Sequence, residues 1–145
     1  PFNINRLSYF LADIKLLKME VAFYAVIQHF GYAVKVECHC KNVIIEVDKP
    51  KQVTECNCSI CNRYMSLWGY YQIEEPKIDI GHYGTDSYSW GDNELDFIRC
   101  GNCGCITHYQ TKKGQKDPRV AINFGLARSQ VADVQVRYFA GADMQ

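Results

Sequence analysis

Eight cysteines, every one of them within two or three residues of another, are the part of this chain that could do chemistry. They fall into three groups: Cys38-His39-Cys40, Cys56-Asn57-Cys58-Ser59-Ile60-Cys61 and Cys100-Gly101-Asn102-Cys103-Gly104-Cys105. Zn²⁺ takes four soft ligands at tetrahedral corners about 2.3 Å away, and Cys-x-Cys or Cys-x-x-Cys on a tight bend supplies two of them at once. Two such bends close one site. A disulfide framework competes, because the count is even. It is disfavoured, since cysteines so close in sequence are badly placed to staple distant elements and the chain carries no secretory signature. A redox dithiol at Cys58 and Cys61 would need a βαβ setting, and the neighbouring sequence reads as short strands instead.

Spacing alone leaves open which groups share an ion. Cys38, Cys40, Cys100 and Cys103 can form a four-thiolate site, which leaves Cys56, Cys58 and Cys61 with three ligands and a vacancy. The two kinds of site differ chemically. A saturated four-thiolate zinc contributes folding free energy, on the order of 10 kcal/mol in small zinc modules. An open position admits an outside water or thiol and draws off its proton. Cys105 is the remainder: two positions after Cys103 on a predicted strand, it shares that residue's face and could turn toward either ion. It is read as a buried free thiol; recruited to the central group, it would close both sites.

The other polar candidates each have a plainer reading beside the chemical one. His39 lies between two cysteines but points away from them. His108, in Thr107-His108-Tyr109, is either close to a substrate or a satisfied strand histidine. His29 and His82 have no supporting pattern. Arg63 could offset thiolate charge or receive a carboxylate, or could be a solvated helix residue, and Arg99 and Arg119 are weaker versions of the same idea. Trp68, Tyr70 and Tyr71 either line a pocket after the central cluster or pack in the core, the second being the plainer expectation. No Ser/His/Asp arrangement, phosphate loop or carboxylate pair stands out.

Strands must hold these groups in place. From Tyr32 onward the chain consists of short runs rich in Val, Ile, Tyr and Phe, broken by turn residues. Strands are predicted over 32–38, 42–47, 52–56, 68–73, 77–80, 85–90, 95–99, 105–111, 119–125 and 134–139. Lys49-Pro50, Glu75-Pro76, Gly91-Asp92-Asn93, Lys113-Gly114 and Asp117-Pro118 are among the turns between them. Ser59 to Tyr64 suits a single helical turn. Before residue 32, apolar residues at Leu7, Phe10, Leu11, Ile14, Leu17, Val21 and Tyr24 have helical spacing, with Asn5 as a plausible cap. The chain is therefore expected to be mainly β, with an N-terminal helical extension at 1–31 and a zinc-binding β domain at 32–145. No internal repeat is found.

Composition narrows the partners. With 48% hydrophobic and 22% charged residues the chain is that of a folded domain. Lys plus Arg equals Asp plus Glu at 16 each, so no basic field invites nucleic acid, and seven thiolates holding two Zn²⁺ would make the balance acidic. Asp13, Lys15, Lys18 and Glu20 interrupt the apolar N-terminal region, which argues against a membrane span or signal peptide and for a cytoplasmic protein.

At the cysteine groups the sequence resembles the glutathione-dependent formaldehyde-activating enzyme family, which also includes centromere protein V and has a Mss4-like, β-tent zinc fold. The resemblance starts at Val36-Glu37-Cys38-His39-Cys40. It continues through Val53-Thr54-Glu55-Cys56-Asn57-Cys58-Ser59-Ile60-Cys61-Asn62-Arg63 and includes Cys100-Gly101-Asn102-Cys103-Gly104-Cys105. Tyr88-Ser89-Trp90-Gly91-Asp92, Cys105-Ile106-Thr107-His108-Tyr109, Val120-Ala121-Ile122-Asn123 and Phe139-Ala140-Gly141 also look like segments of it. Lys41 and Asn42 depart from it, standing where many members have glycine. The resemblance implies a structural zinc on Cys38, Cys40, Cys100 and Cys103 and a catalytic one on Cys56, Cys58 and Cys61. It implies further that glutathione supplies the missing sulfur and condenses with formaldehyde or a related small aldehyde, a carbon-sulfur lyase reaction read in reverse. The alternatives are a glutathione carrier without catalysis and a structural zinc-binding interaction module.

Overall fold

The computed structural model describes residues 33–144; the helix predicted before residue 32, and the division placed there, lie outside the described residues. Alternation of apolar and polar residues builds the first sheet. β1 (Ala33–Glu37) and β2 (Val43–Asp48) pair antiparallel with Val36 opposite Ile45. Successive strand side chains face opposite ways, so Val34, Val36, Val43, Ile45 and Val47 all turn inward and are 4% exposed or less. β5 (Lys77–Ile80) joins the other side of β2 to complete three strands.

The second sheet has seven strands: β3 (Gln52–Cys56), β4 (Trp68–Tyr71), β6 (Thr85–Ser89), β7 (Leu95–Cys100), β8 (Ile106–Thr111), β9 (Val120–Asn123) and β10 (Gln135–Phe139), in the spatial order β10-β3-β4-β9-β8-β7-β6. The ten strands answer one for one to the ten predicted segments, with ends that differ by two residues at most. The expected helical turn is α1 (Ser59–Tyr64). Antiparallel pairing holds throughout except between β10 and β3, which run parallel with Phe139 opposite Cys56. A parallel pair needs a crossover rather than a hairpin. Part of that crossover is a 3₁₀ segment, Phe124–Val131, bent at Ala127. It begins where the sequence suggested the tail of a strand; the buried spacing of Phe124, Ala127 and Val131 was the signal for it.

One face of the seven-stranded sheet, through Val53, Val120 and Ile122, packs with the valines of β1 and β2. The other carries a separate, mostly aromatic cluster of Ile60, Cys61, Trp68, Phe97, Tyr109 and Ala121. Among the described residues no helix is long and apolar enough to cross a membrane.

The turn between β1 and β2 contains Lys41 at φ 61°, a left-handed conformation that costs a side-chain-bearing residue about 1 kcal/mol. This is one of the positions where the family pattern favours glycine. Lys41→Gly is therefore expected to raise the thermal midpoint by roughly 2–4 °C, part of the gain being lost to glycine's freer unfolded chain. Calorimetry of the two proteins checks it, and a lower midpoint in the variant would contradict the strain argument.

Candidate metal centres

The turn after β1 and the turn after β7 bring the first and third cysteine groups together. The Sγ atoms of Cys38, Cys40, Cys100 and Cys103 all lie within 4.8 Å of one another. Cys38 and Cys40 are 3.7 Å apart and Cys40 and Cys100 are 3.5 Å apart. A tetrahedron with legs of 2.3 Å has edges of about 3.8 Å, whereas a disulfide is about 2.0 Å. All eight cysteines are free. The donor set thus fits a tetrahedral, thiophilic cation.

Amide hydrogens already point at these sulfurs. Val43 N donates to Cys38 Sγ (3.2 Å), and Asn102 N and Cys103 N donate to Cys100 Sγ (3.4 and 3.5 Å). Such bonds favour the thiolate. Burial pushes the Cys38 thiol up to about 12. At Cys103 burial also works upward, but N–H groups of Cys105 and Cys40 and the adjacent sulfurs outweigh it and bring the thiol down to about 5. A cation entering here would displace the remaining protons.

Asn42, the second departure from the family pattern, ties this site together. It is 8% exposed. Its Nδ2 donates to Gly84 O (2.9 Å) and to Cys100 Sγ (3.6 Å), while its Oδ1 accepts from Tyr83 N (3.1 Å). One amide therefore links the β1–β2 turn, the turn before β6 and a ligand sulfur. Neither periodicity nor a motif marks this role of Asn42 in the sequence.

The central group is held differently. Cys56 ends β3, Cys58 precedes α1 and Cys61 lies in it. Their three sulfurs are also within 4.8 Å of one another, and no fourth Cys, His, Asp or Glu joins them among the described residues. Trp68 Nε1 donates to Cys61 Sγ (3.2 Å) and Cys58 N donates to Cys56 Sγ (3.4 Å). Burial lifts the Cys61 thiol to about 12. At Cys58 burial is outweighed by hydrogen bonds from the Cys61 and Ile60 N–H groups and from the two sulfurs, and the thiol is lowered.

The chain after β10 closes one side. Asn57 N donates to Phe139 O (3.2 Å), and Asn57 Oδ1 accepts from Ala142 N (2.9 Å). Gly141 packs so tightly here that a Cβ on it would sit 2.6 Å from Cys56 Sγ. Glycine at 141 is required by that approach.

A cavity of about 640 Å³ opens over the central sulfurs, with Cys56, Cys58 and Cys61 in its wall beside Trp68, Tyr109 and Arg137. Trp68 and Tyr70 line it, as one reading of the sequence allowed, and Arg119 does too. Tyr71 does not: its hydroxyl donates to Asp48 O (2.8 Å) and its ring packs toward Phe124. Arg63 also stays out of it, donating from Nη1 to Ser59 O (2.6 Å). Arg99 faces Asp86 (3.6 Å) on the outer side of β7. Arg137, on β10, lines the cavity as well, and no motif or spacing marks that arginine in the sequence. His39 is exposed.

Cys105 belongs to neither set of ligands. It interacts with Cys103 and Cys100 and is pushed up by burial, so it neighbours the four-sulfur site and leaves the three-sulfur one open.

His108 proves to be a satisfied core histidine. It is 4% exposed, and its Nδ1 shares a 2.9 Å hydrogen bond with Thr107 Oγ1. Burial lowers its pKa from 6.5 to about 4. The unfolded chain therefore binds the proton first, and the neutral ring's contribution to stability is complete above about pH 6.5 and lost as the pH falls toward 4. The loss amounts to about 2–3 kcal/mol. Unfolding free energies of the wild type minus those of His108→Gln, between pH 7 and 4, should show it; metal loss in acid is common to both proteins and cancels. A pH-independent difference would refute it.

The family model for the glutathione-dependent formaldehyde-activating enzyme matches residues 33–140. A crystal structure of a Rhodobacter sphaeroides protein superposes with a TM-score of 0.57 at 22% identity, covering 72% of this chain and 100% of that one. At that identity the likeness is one of fold. No curated protein matches.

Proposed function

The chain belongs to the glutathione-dependent formaldehyde-activating enzyme family, and on that footing we propose that it joins a glutathione-type thiol to formaldehyde or a related small aldehyde, as a zinc-dependent carbon-sulfur lyase or synthase. In this reading Cys38, Cys40, Cys100 and Cys103 hold a structural zinc, and Cys56, Cys58 and Cys61 hold a catalytic one. The observation that carries the proposal is the contrast between the two clusters: four mutually close sulfurs in one, and three, facing a cavity, in the other.

Cys56, Cys58 and Cys61 would hold the zinc, which would supply Lewis acidity of the kind that lowers a thiol's pKa toward neutrality. The chain's own groups do the rest. Trp68 Nε1 and the N–H of Cys58 fix two ligand sulfurs and stabilise their negative charge. Arg119 and Arg137 line the cavity, and their guanidinium groups suit the carboxylates of a peptide thiol. The apolar walls lower the local dielectric, which strengthens those charge contacts. No side-chain nucleophile is called for, since the attacking sulfur belongs to the substrate.

X-ray absorption at the zinc edge, on protein containing both ions, tests the assignment. Adding glutathione should raise the mean sulfur number per zinc from about 3.5 to about 4, reflecting a change from three to four at one of two sites. Four protein sulfurs at each zinc without thiol would refute it.

A further inference from the structure

Formaldehyde is a poor match to the space above the central sulfurs. The cavity measures about 640 Å³, within the ~300–1,000 Å³ range of sites for drug-sized ligands; the thiol fills part of it, and an acceptor of formaldehyde's size adds little more than a water's share of ~30 Å³. Much of the wall is aromatic. Trp68, Phe97 and Tyr109 form a packed floor, with Trp68 and Tyr109 ring centroids 4.8 Å apart and Phe97 and Tyr109 5.5 Å apart. Around them Tyr70, Trp90 and Phe139 line the same cavity while 41%, 38% and 40% exposed. Isolated exposed rings are ordinary; rings converging on one opening beside a sulfur cluster mark a site that gains by being filled.

The charges are arranged around those rings. Arg119 lies 5.8 Å from the Tyr70 ring centroid and Arg137 lies 5.5 Å from that of Phe139. In the proposed reaction they take the carboxylates of the thiol, which leaves the aromatic wall without a partner from either glutathione's charged ends or formaldehyde.

We propose that this site takes an aldehyde bearing an aromatic group, which lies against Tyr70, Trp90 and Phe139 as its carbonyl carbon meets the thiol. This inference rests on the thiol reading above and puts an aromatic aldehyde in formaldehyde's place as the acceptor. The step balances without a co-reactant: the thiol gives up its proton, its sulfur forms the C–S bond, the carbonyl π pair moves to oxygen, and that oxygen takes a proton. Nothing is oxidised or reduced, and the product is a hemithioacetal.

Both tryptophans of the chain line the cavity, so intrinsic fluorescence reports directly on its occupant. The zinc-loaded full chain is titrated with S-benzylglutathione and with S-methylglutathione, stable thioethers that differ in the group standing for the acceptor. The benzyl conjugate should bind at least about tenfold more tightly. Tyr70→Ala and Phe139→Ala, both at half-exposed positions and checked by circular dichroism, should each narrow that preference severalfold. Equal affinities in the wild type, or a preference untouched in both folded variants, overturn the aromatic acceptor and leave the thiol reading standing. Absence of binding by both conjugates also overturns the aromatic acceptor, while the thiol reading, which needs an ionisable sulfur that these thioethers lack, stands or falls on the change in zinc coordination with glutathione itself.

Discussion

Replacing Cys100 with serine is expected to leave the chain without a cooperative unfolding transition at ordinary temperature, the largest effect of any single substitution considered. The Cys100 side chain is 1% exposed. Its sulfur receives the N–H groups of Asn102 and Cys103 and the Asn42 amide, and it contacts Cys40 Sγ. Its cluster joins the turn between β1 and β2, in the three-stranded sheet, to the turn between β7 and β8, in the seven-stranded one. If zinc is bound there, the loss of a ligand forfeits much of a contribution on the order of 10 kcal/mol, in a domain whose whole stability is about 5–15 kcal/mol. Near-ultraviolet circular dichroism, amide dispersion and bound zinc should all fall together. A native-like variant that melts within a few degrees of wild type would show that the cluster does not hold the sheets.

Cys58→Ser should do the opposite: cost most of the thiol chemistry and keep the fold. Cys58 is only half-buried and serves as the N-cap of α1 with extended backbone (φ −62°, ψ 161°) but no side-chain capping bond. Serine is among the best residues for that position, so the substitution can restore to the helix some of what the missing ligand takes away. The neighbouring Asn57 bridge to the C-terminal segment is untouched. Bound zinc should drop by one per chain, with unfolding free energy changing by about 1–2 kcal/mol or less. Acceleration of the thiol-aldehyde reaction should fall roughly 10²–10³-fold, the equivalent of the several kcal/mol that a Lewis-acidic metal supplies. Unfolding as severe as that of Cys100→Ser would contradict the division between a holding and a reacting cluster. Undiminished acceleration would remove the three-cysteine site from the mechanism.

The contrast between these two variants was visible in the sequence only as an option. Local signals sufficed for the elements: alternating Val and Ile in β1 and β2, turn residues between strands, and the short mixed run that becomes α1. They failed where the backbone departs from a local rule. Phe124 and Gly125, the first two residues of the 3₁₀ segment, fall in the strand expected over 119–125 because Val120-Ala121-Ile122-Asn123 leads straight into them, and the parallel placement of β10 on β3 depends on a crossover that no short window encodes.

At the site, the types and spacing of the cysteines determined by themselves that thiophilic cations could be held, because soft, ionisable sulfur two or three residues apart is a property of the chain before it folds. The resemblance to a known family supplied the partition into four and three. Only the tertiary structure decided what surrounds each group. It brought Asn42 to Cys100, a tryptophan N–H to Cys61 and Gly141 against Cys56, set Cys105 beside the four-sulfur cluster, took Arg63 and Tyr71 away from the cavity and put Arg137 into it. These contacts join residues far apart in the chain, and their geometry follows from sheet order and packing, which sequence distance does not specify.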